Sequence, residues 1–276
     1  MSSSVALISP AKLNLFLHVT GRREDGYHTL QTVFQLLDWG DRMTFTANNS
    51  GTVTLDMPGS DVPLRDNLIL RAAQLLQRGT LGAAITCDKQ IPMGGGLGGG
   101  SSNAASTLLA LNRLWQLDMS LDTLQALGAS LGADVPVFVG GHSAWAEGIG
   151  EVLTAIHLPE AWYLILKPRC AVPTGEIFSD RELTRDSLPI TMAAFFQGVH
   201  RNDCEPVVVA RYPETGEALN WLRQFAEPRL TGTGSCVFAA FGTREQAQAA
   251  QREVPGKWVS FVAKGVNESP ALRALA

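Results

Sequence analysis

The sequence predicts an α+β fold, and three features carry that prediction. The first 56 residues show mostly strand patterns, helical patterns then flank a glycine-rich loop, and beyond about residue 156 a second series of strands and helices begins. A chain of 276 residues with 45% apolar content supports either one large domain or two modest ones.

The elements follow in order. In residues 12–19, KLNLFLHV, Leu13, Leu15, Leu17 and Val19 form one face of a strand, and Lys12, Asn14, Phe16 and His18 form the other. GRREDG (21–26) is rich in turn residues, TLQTVFQLLDW (29–39) reads as a second extended segment, and RMTFTA and TVTLD as shorter strands. The spacing of Leu68, Ala72, Leu75 and Leu76 predicts a helix over 66–77, and AAITCDK (83–89) a strand. After the glycine loop, Ala105, Leu108, Leu109, Leu111 and Trp115 predict a helix near 102–116; Ser120 then caps another at 121–131. SAWAEG and EVLTAI read as strands. In the second series, 162–168 reads as a buried strand, with helices near 174–178, 191–197, 203–210 and 215–225. RLTGTGSCVFAAF (229–241) reads as a loop entering a strand, TREQAQAAQREV as a helix and WVSFVAKGV as a last strand.

Composition excludes several classes. A net charge of −4 gives no general attraction to nucleic acid or anionic membrane, so an anionic ligand needs a local arrangement. No run of 18 apolar residues exists, and the start, MSSSVALISPAKLNLF, lacks a basic segment followed by an apolar stretch. Cys87, Cys170, Cys204 and Cys236 stand more than thirty residues apart and form no CxxC pattern, which suits free thiols better than zinc. The expectation is a soluble cytoplasmic protein without a secretory signal.

PMGGGLGGGSSNAA (92–105) is the most informative stretch, with glycine at six of the seven positions from 94 to 100. Such a run loses much backbone entropy on folding. Close approach of its N–H groups to a polyphosphate offsets that cost, and the helix after Ser101 and Ser102 adds a favourable dipole. A flexible linker is the plainer reading, but linkers rarely end in a helix cap. The Walker A pattern fails because Gly100 is followed by serine. GxGxxG does fit Gly94, Gly96 and Gly99, yet two consecutive helices follow, where a dinucleotide fold requires a strand with an acidic end.

Asp134, in LGADVPVFVGG, has the position of a turn or capping residue, and Lys12 that of a solvated charge. Phosphoryl transfer to an alcohol would use both, one as proton acceptor and one as cation. An ordinary aspartate carboxyl, pKa about 3.9, is a weak base for an alcohol. A loose transition state lets the proton leave late, which relaxes that demand.

PAKLNLFLHVTGRREDGYHTLQTVFQLLD (10–38), PMGGGLGGGSSNAA (92–105), LGADVPVF (131–138), RLTGTGSCVFAAF (229–241) and FVAKGVNESP (261–270) closely resemble, in order, the motifs of the GHMP small-molecule kinases. The resemblance runs essentially end to end. It implies a two-domain α+β enzyme: an N-terminal ATP-binding domain like the second domain of ribosomal protein S5 (1–155) and a C-terminal ferredoxin-like α/β sandwich (156–276). The long first motif, with GYHTLQT, points to the branch that phosphorylates a cytidine diphosphate conjugate of methylerythritol on its 2-hydroxyl, in non-mevalonate isoprenoid synthesis. By position, Asp134 matches the family's base and Lys12 its cation, with Asn14 beside it on the substrate side. Pro92, Met93, Gly94, Gly95, Gly96 and Leu97, continuing through Gly98, Gly99, Gly100, Ser101 and Ser102, match the ATP phosphate loop, and Asn67 falls where the nucleotide base is held. Tyr27 and Phe178 match aromatics that sandwich the cytosine, and His28 the residue that reads its polar edge. TGTGS (231–235) matches a second loop, near the substrate diphosphate.

Apart from the resemblance, Tyr27 reads as a turn aromatic and Phe178 as an ordinary core residue. Mg²⁺ is expected with ATP; Ser101 or Ser102 could touch it, no carboxylate is marked for it, and the ligands stay open. The assembly is left between monomer and homodimer. His18, His142, His157 and His200 are expected to be structural. Other readings are a kinase of the same superfamily for homoserine, mevalonate or a sugar, a non-catalytic sensor on the same fold, and a nicotinamide-dependent oxidoreductase. Lys12 and Asp134 together argue against the sensor; substrate tests and the choice between ATP and NAD separate the others.

Overall fold

The computed structural model describes residues 3–59, 62–198 and 201–275. β1 (Ser4–Arg22) and β2 (His28–Asn48) form a long antiparallel hairpin. β3 (Val53–Asp56), α1 (Leu68–Leu76) and β4 (Gly82–Asp88) follow. Next come the helices α2 (Gly99–Leu114), α3 (Leu121–Ala129) and α4 (Val135–Gly140), then the hairpin of β5 (Ala144–Glu147) and β6 (Val152–Ala155). The second series begins with β7 (Trp162–Lys167), followed by α5 (Thr174–Ser179), α6 (Met192–Phe196), α7 (Glu205–Arg211) and α8 (Pro213–Leu222). It ends with β8 (Pro228–Leu230), β9 (Val237–Phe241), α9 (Arg244–Arg252), β10 (Val259–Val266) and α10 (Pro270–Leu275).

The strands run in the order β3-β4-β2-β10-β7-β9-β8, with β1 and β5 also paired to β2. Among the described residues, β2 and β10 join the two halves of this sheet through two residue pairs, Gly265 with Leu37 and Val266 with Leu36. At Gly265 an added Cβ would stand 2.9 Å from Gln35 and Tyr163, so the close crossing requires glycine. One apolar cluster surrounds α2, a second fills the space between β7–β9 and α7–α8, and a third lies along the middle of β1. Ala271 and Leu275 of α10 return the end of the chain to the cluster around α2.

β1 and β2 are longer than the pattern predicted, because RMTFTA continues β2 instead of forming its own strand. On the face of β1 that carries Lys12, Asn14 and His18, Phe16 is 1% exposed between Trp145 and Phe195. The second series covers that face, and burying a phenylalanine contributes about 1.5–3 kcal/mol. On α1 the buried residues are Ile69, Ala72, Ala73 and Leu76, so the stripe is rotated away from Leu68 and Leu75. The helix predicted from 102 begins at Gly99, inside the glycine run, and is buried continuously from Ser102 to Leu111. α4 and α10 were not anticipated; six residues each leave little periodicity to read. Among the described residues, no helix is long and apolar enough to cross a membrane.

Candidate active site

The Lys12 ammonium is the best-defined group of the site. β1 has a register shift between Pro10 and Lys12, where Gly40 passes so close that a Cβ would stand 2.7 Å from the Pro10 Cα. Such a bulge re-aims the following side chain. Lys12 is 3% exposed, and an ammonium in that position needs partners for all its protons. It finds three: Asn14 Oδ1 at 2.6 Å, the Gly96 carbonyl at 3.1 Å and Asp134 Oδ2 at 3.2 Å. The Phe34 ring lies beneath it, 5.3 Å from the nitrogen.

Asp134 sits at the N-cap of α4, which favours the plain reading as a capping residue. Its side chain makes no capping bond. Instead the carboxylate, about one-third exposed, turns to Lys12 and lines the cleft. The carboxylate is thus held by a buried ammonium and still open to the cleft.

The glycine loop is held by backbone contacts from both sides. Lys12 N donates to the Leu97 carbonyl at 3.0 Å, and Cys236 N to the Gly95 carbonyl at 3.2 Å. Thr231 Oγ1 donates to the Gly96 carbonyl at 3.2 Å and accepts from Asn14 N at 3.0 Å. At Gly96, with φ +76°, a Cβ would overlap the Thr231 carbonyl oxygen at 2.2 Å; at Gly98 it would stand 2.9 Å from Phe138. Packing therefore demands some of these glycines whatever binds above them. Gly94 differs, with nothing within 4 Å of its Cβ position. Gly98 caps α2 without a side-chain bond, leaving the first N–H groups of a 16-residue helix available to an anion at the cleft.

Ser101 and Ser102 separate here. Ser101 lines the cleft, whereas Ser102 is fully buried with its hydroxyl 2.8 Å from that of Ser9. Asn67 is also turned inward: 5% exposed, it accepts from Ile69 N at 2.9 Å and caps α1, while Leu68 beside it lines the cleft.

The other end of the cleft carries Tyr27, 61% exposed on the hairpin turn, with His28 and Phe178. The ring stacked on Phe178 is that of His28, with centroids 5.2 Å apart and planes 25° from parallel. Burial, and then the nearby cations Arg185 and Arg22, push the His28 pKa down from its usual range. Phe178 packs at the margin of the second cluster, so its core and cleft roles coexist. Tyr27, His28 and Phe178 share with Lys12, Asp134, the glycine loop and Gly232 and Thr233 of the TGTGS loop one cavity of about 890 Å³, the size of a large ligand site.

Sequence reasoning missed three contributors, Lys89, Asn202 and Arg185, and the bridging role of the Thr231 side chain within TGTGS. Lys89 lines the cleft beside Gly99 and is held by buried Asp41 and by Asn103 Oδ1 at 3.0 Å; its place directly before the glycine loop was a readable signal. Asn202 fixes the TGTGS loop by donating to the carbonyls of Leu230 at 3.0 Å and Gly232 at 2.8 Å. Thr231 joins the two glycine loops as described. Arg185 donates to His28 from 157 residues away, with no local pattern to announce it. Of the remaining histidines, His142 and His157 are exposed outside the cleft. Among the described residues Nδ1 of the buried His18 has no partner, and burial lowers the pKa of this ring. His200 lies outside the described residues.

A buried cation, a half-open carboxylate and a glycine loop at a helix N-terminus meet in one cleft, and the comparisons give the lineage of the chain. The family model for the GHMP kinases N-terminal domain matches residues 67–142, and that for the C-terminal domain matches residues 190–260. The chain belongs to the GHMP kinase family. It is 51% identical, over 99% of its length and 97% of the relative, to a protein of Hahella chejuensis named 4-diphosphocytidyl-2-C-methyl-D-erythritol kinase. A protein of Burkholderia mallei with the same name is 52% identical over 95% of this chain and 94% of the relative. A crystal structure of 4-(cytidine 5'-diphospho)-2C-methyl-D-erythritol kinase superposes with a TM-score of 0.82 at 33% identity, covering 95% of this chain and 99% of that one. The mevalonate kinase of Methanococcus jannaschii, with a TM-score of 0.67 at 16% identity over 97% and 99% of the two chains, shares the fold.

Proposed function

We propose that the chain transfers the γ-phosphate of ATP to the 2-hydroxyl of 4-diphosphocytidyl-2-C-methyl-D-erythritol, giving the 2-phosphate and ADP in non-mevalonate isoprenoid synthesis. The observation that carries this reading is that one cavity holds the Lys12–Asp134 pair, the glycine loop and the Tyr27–His28–Phe178 group together. The half-identical relatives with that named activity support the same substrate.

The chemistry follows from the geometry. The loop N–H groups of 94–101 and the α2 N-terminus hold the ATP phosphates. Asp134 accepts the hydroxyl proton, late in a loose transition state, so a weak base suffices. Lys12 stabilises charge on the transferring group and holds the Asp134 carboxylate in place. Asn14 Nδ2 donates to Thr32 at 3.0 Å, which fixes its oxygen toward Lys12. For a Mg²⁺ carried with ATP, Ser101 is the loop hydroxyl left free, since that of Ser102 is paired with Ser9. Such an ion supplies positive charge to the phosphate oxygens when bound.

At the other end, Tyr27 and Phe178 offer faces to the cytosine and His28 meets its polar edge. The domain division is placed at 155/156, between β6 and β7, supported by the narrow β2–β10 contact. A reducing cytoplasm suits four free cysteines.

The test is ATP consumption with Mg²⁺ and the cytidine substrate, with the product examined by mass and ³¹P NMR. A gain of one phosphate on the 2-hydroxyl is expected. Turnover of homoserine, mevalonate or a sugar instead would overturn the substrate assignment, and ATP binding without turnover of any alcohol would favour the sensor.

A further inference from the structure

The geometry points to Arg185 as a specificity-determining positioning residue: its hydrogen bond to His28 Nε2 locks the imidazole in the Nδ1–H tautomer, making His28 a donor toward the ligand base. The inference rests on the reading of His28 as the cytosine contact.

Arg185 Nε lies 3.1 Å from His28 Nε2. A guanidinium has only donors, so Nε2 must accept and the ring proton must sit on Nδ1. Among the described residues Nδ1 has no protein partner, and His28 borders the cleft while Arg185 stands behind it, outside the lining. The guanidinium is itself fixed. Its Nη2 donates to the carbonyls of Phe178 at 3.0 Å and Asp180 at 2.6 Å, and its Nη1 to that of Leu183 at 3.1 Å. One side chain thus ties the segment carrying Phe178 to the ring stacked on it. Partial burial and then the adjacent cations lower the His28 pKa, which favours the neutral imidazole that a defined tautomer requires.

The consequence is selectivity between pyrimidines. Cytosine presents acceptors at N3 and O2, whereas uracil carries a proton on N3. A fixed Nδ1–H donor pairs with cytosine N3 and meets another donor in uracil. Stacking alone cannot make that distinction, because either base offers the same kind of face. A neutral histidine free to exchange tautomers could satisfy both bases; one held by Arg185 cannot.

Two measurements test this on the full chain. Long-range ¹H–¹⁵N correlation of ¹⁵N-histidine-labelled protein, with the His28 signal assigned by its loss in His28→Phe, reads the tautomer directly. Nδ1–H is expected for the wild type; Nε2–H would overturn the proposal with no variant needed. In Arg185→Met the signal is expected to shift toward mixed tautomers. The ratio of kcat/KM for the cytidine substrate over its uridine analogue should fall by about tenfold or more. An unchanged tautomer and ratio in a folded Arg185→Met would also overturn it. If His28→Phe keeps the full cytidine preference, the reading of His28 as the base contact falls, and the specificity role of Arg185 with it.

Discussion

The two ends of the cleft are built from different materials. At the end proposed to hold the phosphates the surface is backbone: a glycine run clamped through the carbonyls of Gly95, Gly96 and Leu97, with one buried ammonium and one carboxylate. At the end proposed to hold the base it is side chains: an exposed tyrosine on a turn, and a histidine and phenylalanine held in register by an arginine. The first end suits a ligand common to many kinases, since phosphate oxygens accept from any well-placed N–H. The second suits a ligand that must be told from close analogues, since side chains can be exchanged without rebuilding the backbone. The difference predicts that the phosphate end fails in turnover or folding when altered, and the base end fails in substrate affinity.

The largest expected effect is that of Asp134→Asn. It keeps shape and removes the proton acceptor, so kcat should fall by about 10²–10⁴-fold while ATP and substrate affinities hold. Near-wild-type turnover would remove Asp134 from the mechanism. Lys12→Met should lower kcat by about 10²–10³-fold, because the cation acts on charge that develops during transfer. It also leaves Asn14 Oδ1 without the ammonium donor and the Gly96 carbonyl with Thr231 Oγ1 alone, so some loss of thermal stability is expected too. A change confined to KM would contradict the catalytic role.

Gly96→Ala tests the backbone construction itself. The new Cβ would overlap the Thr231 carbonyl at a positive φ, costing about 2–4 kcal/mol and lowering Tm by about 5–15 °C. Gly94→Ala, with the same handedness but open space, should cost only about 1–2 kcal/mol. Equal losses in calorimetry would mean that packing against Thr231 does not set the glycine requirement.

Legibility in the sequence divided along the same line. The glycine run, Lys12 on a strand and Asp134 before Pro136 are local signals, and the structure brings all three to one cavity. What remained hidden depends on distant partners. Asp134 differs from an ordinary cap only because Lys12, 122 residues away, takes its carboxylate. Phe16 alternates as a polar-face residue until the second series covers that face. Ser102 looks equivalent to Ser101 until Ser9 pairs with it, and Asn67 looks free until it caps α1. Arg185 and Asn202 act through carbonyls, and a carbonyl has no sequence identity to read. The short α4 and α10 fall below the length at which helical periodicity emerges.

The smallest effect bears on the base end alone. Tyr27 is 61% exposed, and its local ties are made by its backbone: its N–H donates to Asp25 Oδ1 at 3.0 Å and its carbonyl accepts from Arg23 N at 2.7 Å. Tyr27→Ala keeps those bonds and removes only the ring, so folding and Tm should be nearly unchanged. One stacked face contributes about 1–3 kcal/mol, which raises KM for the cytidine substrate by roughly 5–150-fold. ATP affinity and kcat at saturation should hold, because the phosphate end shares no side chain with Tyr27. Tyr27→Phe should recover most of the loss, since stacking needs the face and not the hydroxyl. Parallel weakening of ATP and substrate, read by calorimetric titration of each ligand, would mean that the two ends are coupled through the hairpin turn and that the division between them is false.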